Sequence, residues 1–95
     1  MELEKLRIFL AVADSGGFSC GARQLYISHS TTSRAVSALE EELGVRLLER
    51  DNRVQGLTPA GRQLALEARA LLRQADEAAR RVRAAAETQD ESEAE

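Results

Sequence analysis

Three of the 95 residues are aromatic (Phe9, Phe18 and Tyr26), one is cysteine, one is proline, one is histidine and none is tryptophan. With so few rings, burial must come from Leu, Val, Ile and Ala. A chain of this length supports one small domain, whose core is marginal unless a second copy extends it. The single cysteine, Cys20, excludes an internal disulfide and any cysteine-based metal cluster, and one His with one Cys builds no metal site. Cys20 reads as a small buried residue and not as a redox switch. There is no signal-peptide pattern, and no apolar run approaches the roughly 20 residues that a membrane-spanning helix needs. The expectation is a cytoplasmic chain with no membrane partner and no cofactor. Catalysis is not expected either. Ser28 and His29 are adjacent, but no third orienting group, glycine-rich phosphate loop or second histidine accompanies them. The run Glu40-Glu41-Glu42 reads as a solvated helix face.

The formal net charge of −3 would by itself argue against a nucleic-acid partner, but its distribution matters more than its sum. Residues 1–62 balance eight basic against eight acidic side chains, residues 63–86 carry five basic and three acidic, and the last nine carry five acidic and none basic. Up to residue 86 the chain is weakly basic, which permits DNA binding without demanding it.

Leu3, Leu6, Leu10 and Ala13 recur at helical spacing, with Phe9 and Val12 widening the stripe, so residues 2–14 form an amphipathic helix that Gly16-Gly17 ends. Ser19 is placed to cap a short second helix over 19–25, with Ala22 and Leu25 inward and a turn at Tyr26-Ile27. Ser28 then caps a third helix, in which Thr32, Val36, Leu39 and Leu43 form the inward stripe and Gly44 closes the C-terminus. Two short apolar pieces, Leu47-Leu48 and Val54 to Leu57, flank the polar turn Asp51-Asn52 and predict a small β-hairpin. Thr58-Pro59, a cap residue followed by proline at the first helical position, starts a last helix expected over 59–87. Along it Leu64, Ala68, Leu71, Ala75, Ala78, Val82 and Ala85 alternate at spacings of four and three. That heptad seam is too long for the first helix to cover, and it predicts dimerisation. The terminal "TQDESEAE" reads as an acidic, disordered tail, which as a hypothesis weakens non-specific DNA binding.

The architecture is therefore mainly α. A winged helix-turn-helix over 1–58 has three helices plus a small β-hairpin wing. A dimerisation helix follows over 59–87 and a tail over 88–95. In a helix-turn-helix the second helix of the pair enters the DNA major groove by its N-terminal end. The face opposite the inward stripe carries His29, Ser30, Ser33, Arg34 and Ser37, and the short hydroxyls, Thr31 among them, let a helix end approach phosphates closely. Arg34 can pair bidentately with guanine O6 and N7, and His29 can donate or accept according to its tautomer. Blander readings stand beside these: Ser28 as a cap alone, His29 as a surface histidine, Arg34 paired along the helix with an acidic neighbour.

The pieces "FLAVAD", "GGFS", "SRAVSALEEELGVRLLER" and "LTPAGR" occur in order and register. Across residues 3 to about 85, the chain resembles the N-terminal DNA-binding domain and linker helix of LysR-type transcriptional regulators. The resemblance implies a sequence-specific regulator of double-stranded DNA. It implies a dimer joined through the long helix, each copy placing one recognition helix (29–43) in the major groove. Ser28, His29, Ser30, Thr31, Ser33, Arg34 and Ser37 would then face bases and nearby phosphates. Arg53 in the hairpin turn, supported by Arg50, would reach the minor groove or the backbone. The family pattern usually has glutamine at position 29, an aliphatic at 32, and a basic residue and alanine at 20 and 21. His29 therefore leaves the preferred base open, and Cys20 removes a phosphate contact. The family's effector-sensing region has no counterpart in these residues, so no small-molecule effector is expected for this chain. A rival reading is an interaction protein that forms mixed dimers with a longer relative and sequesters it.

Overall fold

The computed structural model describes residues 1–49 and 56–94. Four helices follow one another: α1 (Leu3–Ser15), α2 (Phe18–Leu25), α3 (His29–Leu43) and α4 (Pro59–Ala94). α1 is central and packs on each of the other three. It therefore buries more than one stripe: Leu6, Phe9 and Val12 as the periodicity predicts, and Ile8 and Ala11 beside them. Leu3, expected inward, is 43% exposed in the first turn.

α2 begins one residue earlier than expected. Gly17 occupies the cap position with no side-chain bond, so Ser19 lies inside the helix and is not its cap. Ala22 is buried. Cys20, expected inside, is exposed. Two residues from Ala22 on a helix is a rotation of about 200°, which turns it away from α1.

α3 starts as its sequence dictates. The Thr31 amide donates to Ser28 Oγ (3.0 Å), which closes the N-terminus. Thr32, Ala35, Val36 and Leu39 are buried. Leu43, the last member of the expected stripe, is 42% exposed because the final turn runs past the core. Gly16 and Gly44 end α1 and α3 in the left-handed region (φ 92° and 71°), where a side chain would be strained.

The triple acidic run is not uniformly solvated. Glu40 is 9% exposed. Its Oε2 accepts from the amides of Leu47 (2.8 Å) and Leu48 (3.4 Å), two buried donors on the segment that leaves α3. The carboxylate thus fastens the base of the wing to the third helix. That base consists of an antiparallel bridge between Leu48 and Leu57. Bonds from the Glu49 amide to Gly56 O (2.9 Å) and from the Thr58 amide to Leu47 O (3.0 Å) flank it. The expected hairpin turn lies outside the described residues.

Thr58 starts α4. Its Oγ1 accepts from the Gly61 amide (3.0 Å) and donates to the Arg46 carbonyl (2.6 Å), so one hydroxyl both caps the helix and ties it to the wing base. A Cβ on Gly61 would collide with the Leu47 carbonyl oxygen, so only glycine allows this approach. One core unites Leu6, Phe9, Val12, Val36, Leu39, Leu47, Leu48, Leu64, Ala65 and Ala68.

Two expectations about α4 change. Leu64 (8% exposed) and Ala68 (fully buried) belong to this core and face α1, so they are not available to a partner. The helix also continues to Ala94, past the bound of 87 expected for it. Residues 87–94, ETQDESEA, hold no glycine or proline and several strong helix formers, so nothing in the sequence stops the helix. The molecule measures 65 × 25 × 19 Å, a head with one helix projecting from it. No helix among the described residues is long and apolar enough to cross a membrane.

Candidate nucleic-acid interface

The hydroxyl-rich start of α3 divides into two sets. Ser28, Thr31 and Thr32 serve the helix itself. Ser28 Oγ caps the Thr31 amide and donates to Thr31 Oγ1 (2.8 Å), and Thr32 Oγ1 donates to the Ser28 carbonyl (2.9 Å). Thr32 is fully buried, with its hydroxyl satisfied by that bond; this is how a hydroxyl residue is accommodated in the inward stripe. Ser30 Oγ only grazes Ser28 Oγ at 3.5 Å. The second set, Ser30, Arg34 and Ser37, is exposed, with Ser33 half-buried between them. Spacings of three and four place these residues on one face.

The geometry of that face follows from what backs it. Ala35, Val36 and Leu39 are anchored in the core, so the helix cannot roll without pulling them out. The first-turn amides lie outside the helical ladder, and the cap occupies the one of Thr31. The positive end of the helix dipole and outward-pointing donors therefore coincide at an exposed tip, an arrangement that favours an anion. His29 and Thr31 are exposed at the same tip.

Among the described residues Arg34 is the only cation on this face, and it is exposed. Its guanidinium makes no hydrogen bond or ion pair with any described residue, so the alternative of pairing along the helix is not realised. A shallow cleft of about 420 Å³ beside it is lined in part by Glu2, Glu4, Lys5 and Thr31. The two glutamates are already engaged by cations of their own helix, Glu2 by Lys5 at 3.0 Å and Glu4 by Arg7 at 4.0 Å. Arg34 thus faces solvent with its charge available to a ligand. Arg50 and Arg53, expected on the wing, lie outside the described residues.

The expected dimer seam splits in two. Leu64 and Ala68 are in the core, whereas Leu71 (42%), Val82 (69%), Ala78 and Ala85 are exposed and Ala75 is half-buried. The division falls before the limit of α1, whose Arg7 reaches Asp76 at 3.9 Å. Beyond that point no described element covers α4.

Glu40 is the structural residue that pattern reading missed. Its signal was its position four residues after Val36, on the inward side of α3.

Comparison with known proteins places this arrangement. Over 86 residues the chain is 41% identical to the HTH-type transcriptional regulator TfdT of Cupriavidus pinatubonensis, covering 90% of this chain and 38% of TfdT. It is 42% identical over 86 residues to the HTH-type transcriptional regulator TcbR of a Pseudomonas species, covering 29% of that protein. The chain therefore spans well under half the length of these curated relatives. Among solved structures it superposes on the protein of a CbnR_DBD–DNA complex with a TM-score of 0.86 at 42% identity, covering 90% of this chain and 99% of that one. The family profile described as "Bacterial regulatory helix-turn-helix protein, lysR family" matches residues 3–62, from the first helix to the start of the last, and the chain belongs to that family.

Proposed function

We propose that the chain binds double-stranded DNA sequence-specifically as a dimeric transcriptional regulator. In this reading the N-terminal half of α3 enters the major groove and the wing lies on the minor groove or the backbone. The observation that carries the reading is the exposed, uncommitted Arg34 on a helix whose opposite face is fixed in the core. Arg34 reads a guanine edge, His29 and Ser30 contact bases or phosphates at the helix tip, and Ser33 and Ser37 donate along the groove wall. Arg50 and Arg53 are assigned to the wing contact on the family resemblance alone. The similarity to a CbnR_DBD–DNA complex over almost the whole of that chain supports the same docking.

The dimer is proposed to form along the exposed part of the seam, Leu71, Ala75, Ala78, Val82 and Ala85. Two such heads would read two half-sites spaced by whole turns of the duplex.

The test is selection of bound duplexes from a randomised pool, followed by affinity measurements on Arg34→Ala. The variant should lose about 1–3 kcal/mol of binding and discriminate less at one base pair of each half-site. Sequestration by mixed dimers predicts instead that Arg34→Ala regulates as well as the parent.

A further inference from the structure

We infer that Tyr26 grips the sugar–phosphate backbone of DNA beside the groove that α3 enters, with Arg23 on the same exposed edge of α2. The inference rests on the DNA-binding reading above and adds to it a contact that the patterning of α3 did not suggest.

Tyr26 is 95% exposed, the highest value among the described large hydrophobic side chains. It is also the one non-glycine residue with positive φ among the described residues (φ 58°). It closes α2 as a left-handed cap, its amide bonded to the carbonyls of Ala22 and Arg23. Glycine meets that backbone requirement without strain. With its ring almost wholly in solvent, Tyr26 gives the protomer no packing in return. A side chain held in a disfavoured conformation while burying nothing points to use outside the protomer.

Its position says where. Tyr26 stands two residues before Ser28, the cap of α3, and so at the tip that carries the proposed DNA contacts. When the second helix of a helix-turn-helix occupies the major groove, the first crosses the backbone. Cys20, Arg23 and Tyr26 are all exposed and follow at intervals of three, so they line one edge of α2 and its cap. The Arg23 guanidinium lies 3.7 Å from Cys20 Sγ and makes no ion pair with any described residue. The edge thus offers a cation and, beside it, a phenol that can donate to a phosphate oxygen and lay its ring against a deoxyribose. Neither group reads a base, so their contribution is blind to sequence.

Affinities of Tyr26→Gly, Tyr26→Phe, Arg23→Gln and Arg34→Ala for the selected duplex and for a scrambled one, over a salt titration, test this together with thermal unfolding of each variant. Tyr26→Gly should bind both duplexes about tenfold more weakly, with an unfolding temperature equal to or above the parent's. Tyr26→Phe should lose a smaller share, leaving the salt slope unchanged, and Arg23→Gln should flatten the slope by about one. Parent-like binding by Tyr26→Gly while Arg34→Ala is weakened overturns the inference and leaves the DNA-binding reading intact. A loss of affinity that comes with a lower unfolding temperature also overturns it, because Tyr26 would then be structural. Parent-like binding by both Tyr26→Gly and Arg34→Ala removes the DNA-binding reading and the inference together.

Discussion

At residue scale, the most consequential side chain away from the proposed contact face is Glu40. Two buried backbone amides depend on its carboxylate, and both belong to the segment that leads from α3 into the wing base. Replacing it with alanine strands those donors, and each buried donor left unpaired costs about 1–3 kcal/mol. Chemical denaturation of Glu40→Ala should show a fall in stability of about 2–4 kcal/mol. Binding by whatever fraction stays folded should keep the parent's sequence preference, because the bonds from Leu47 and Leu48 to Glu40 hold the base of the wing. This residue also marks where pattern reading stopped. Val36 and Leu39 announce the inward face by being apolar. A carboxylate on that same face has no apolar signature, and its role depends on donors seven and eight residues further on. The cap at Ser28 was legible because its bond is local. The partition of the hydroxyls between helix and solvent was not, because a sequence does not say which oxygen is already used.

At the scale of elements, α4 combines two environments that its heptad spacing does not distinguish. Leu64 and Ala68 are packed against α1, and Val82 is 69% exposed. Spacing identifies a face of a helix, but what covers that face depends on how far the neighbouring element reaches, and α1 reaches only to Asp76. Leu64→Ala should therefore destabilise the head by about 2–5 kcal/mol. Val82→Glu should leave the head folded by circular dichroism while shifting sedimentation toward the monomer.

A second tie fixes the same pair of helices. Arg69 holds Asp14 at the end of α1 through two bonds, of 3.0 and 2.6 Å. The hydrogen bonds from Arg69 keep the Asp14 carboxyl below its ordinary 3.8 against the opposing effect of burial, and the positive charge of Arg69 adds to the lowering. A depressed carboxylate pKa stabilises the fold above the unfolded value, and the contribution disappears as pH falls through the folded one. Asp14→Asn should thus be less stable than the parent at neutral pH, with the gap closing in acid below about pH 4 in urea titrations. The gap should be small, because both side chains are nearly half exposed and solvent screens them.

At the scale of the whole molecule, the helix that carries the proposed partner-facing stripe also supplies part of the head's core. Folding and the proposed assembly are therefore coupled: pairing along the stripe would add to the stability of a head that can fold without it. In the proposed dimer, a head that melts would release the first turns of α4 and fray the rod on which its sister stands, and a rod that parted would leave a bare stripe of Leu71, Ala78 and Val82 in water. Differential scanning calorimetry should find one transition whose midpoint climbs with protein concentration, in place of an early dissociation followed by a concentration-independent melt. In dilute solution the proposed dimer would come apart, and each head would give up the share of its stability that pairing supplies.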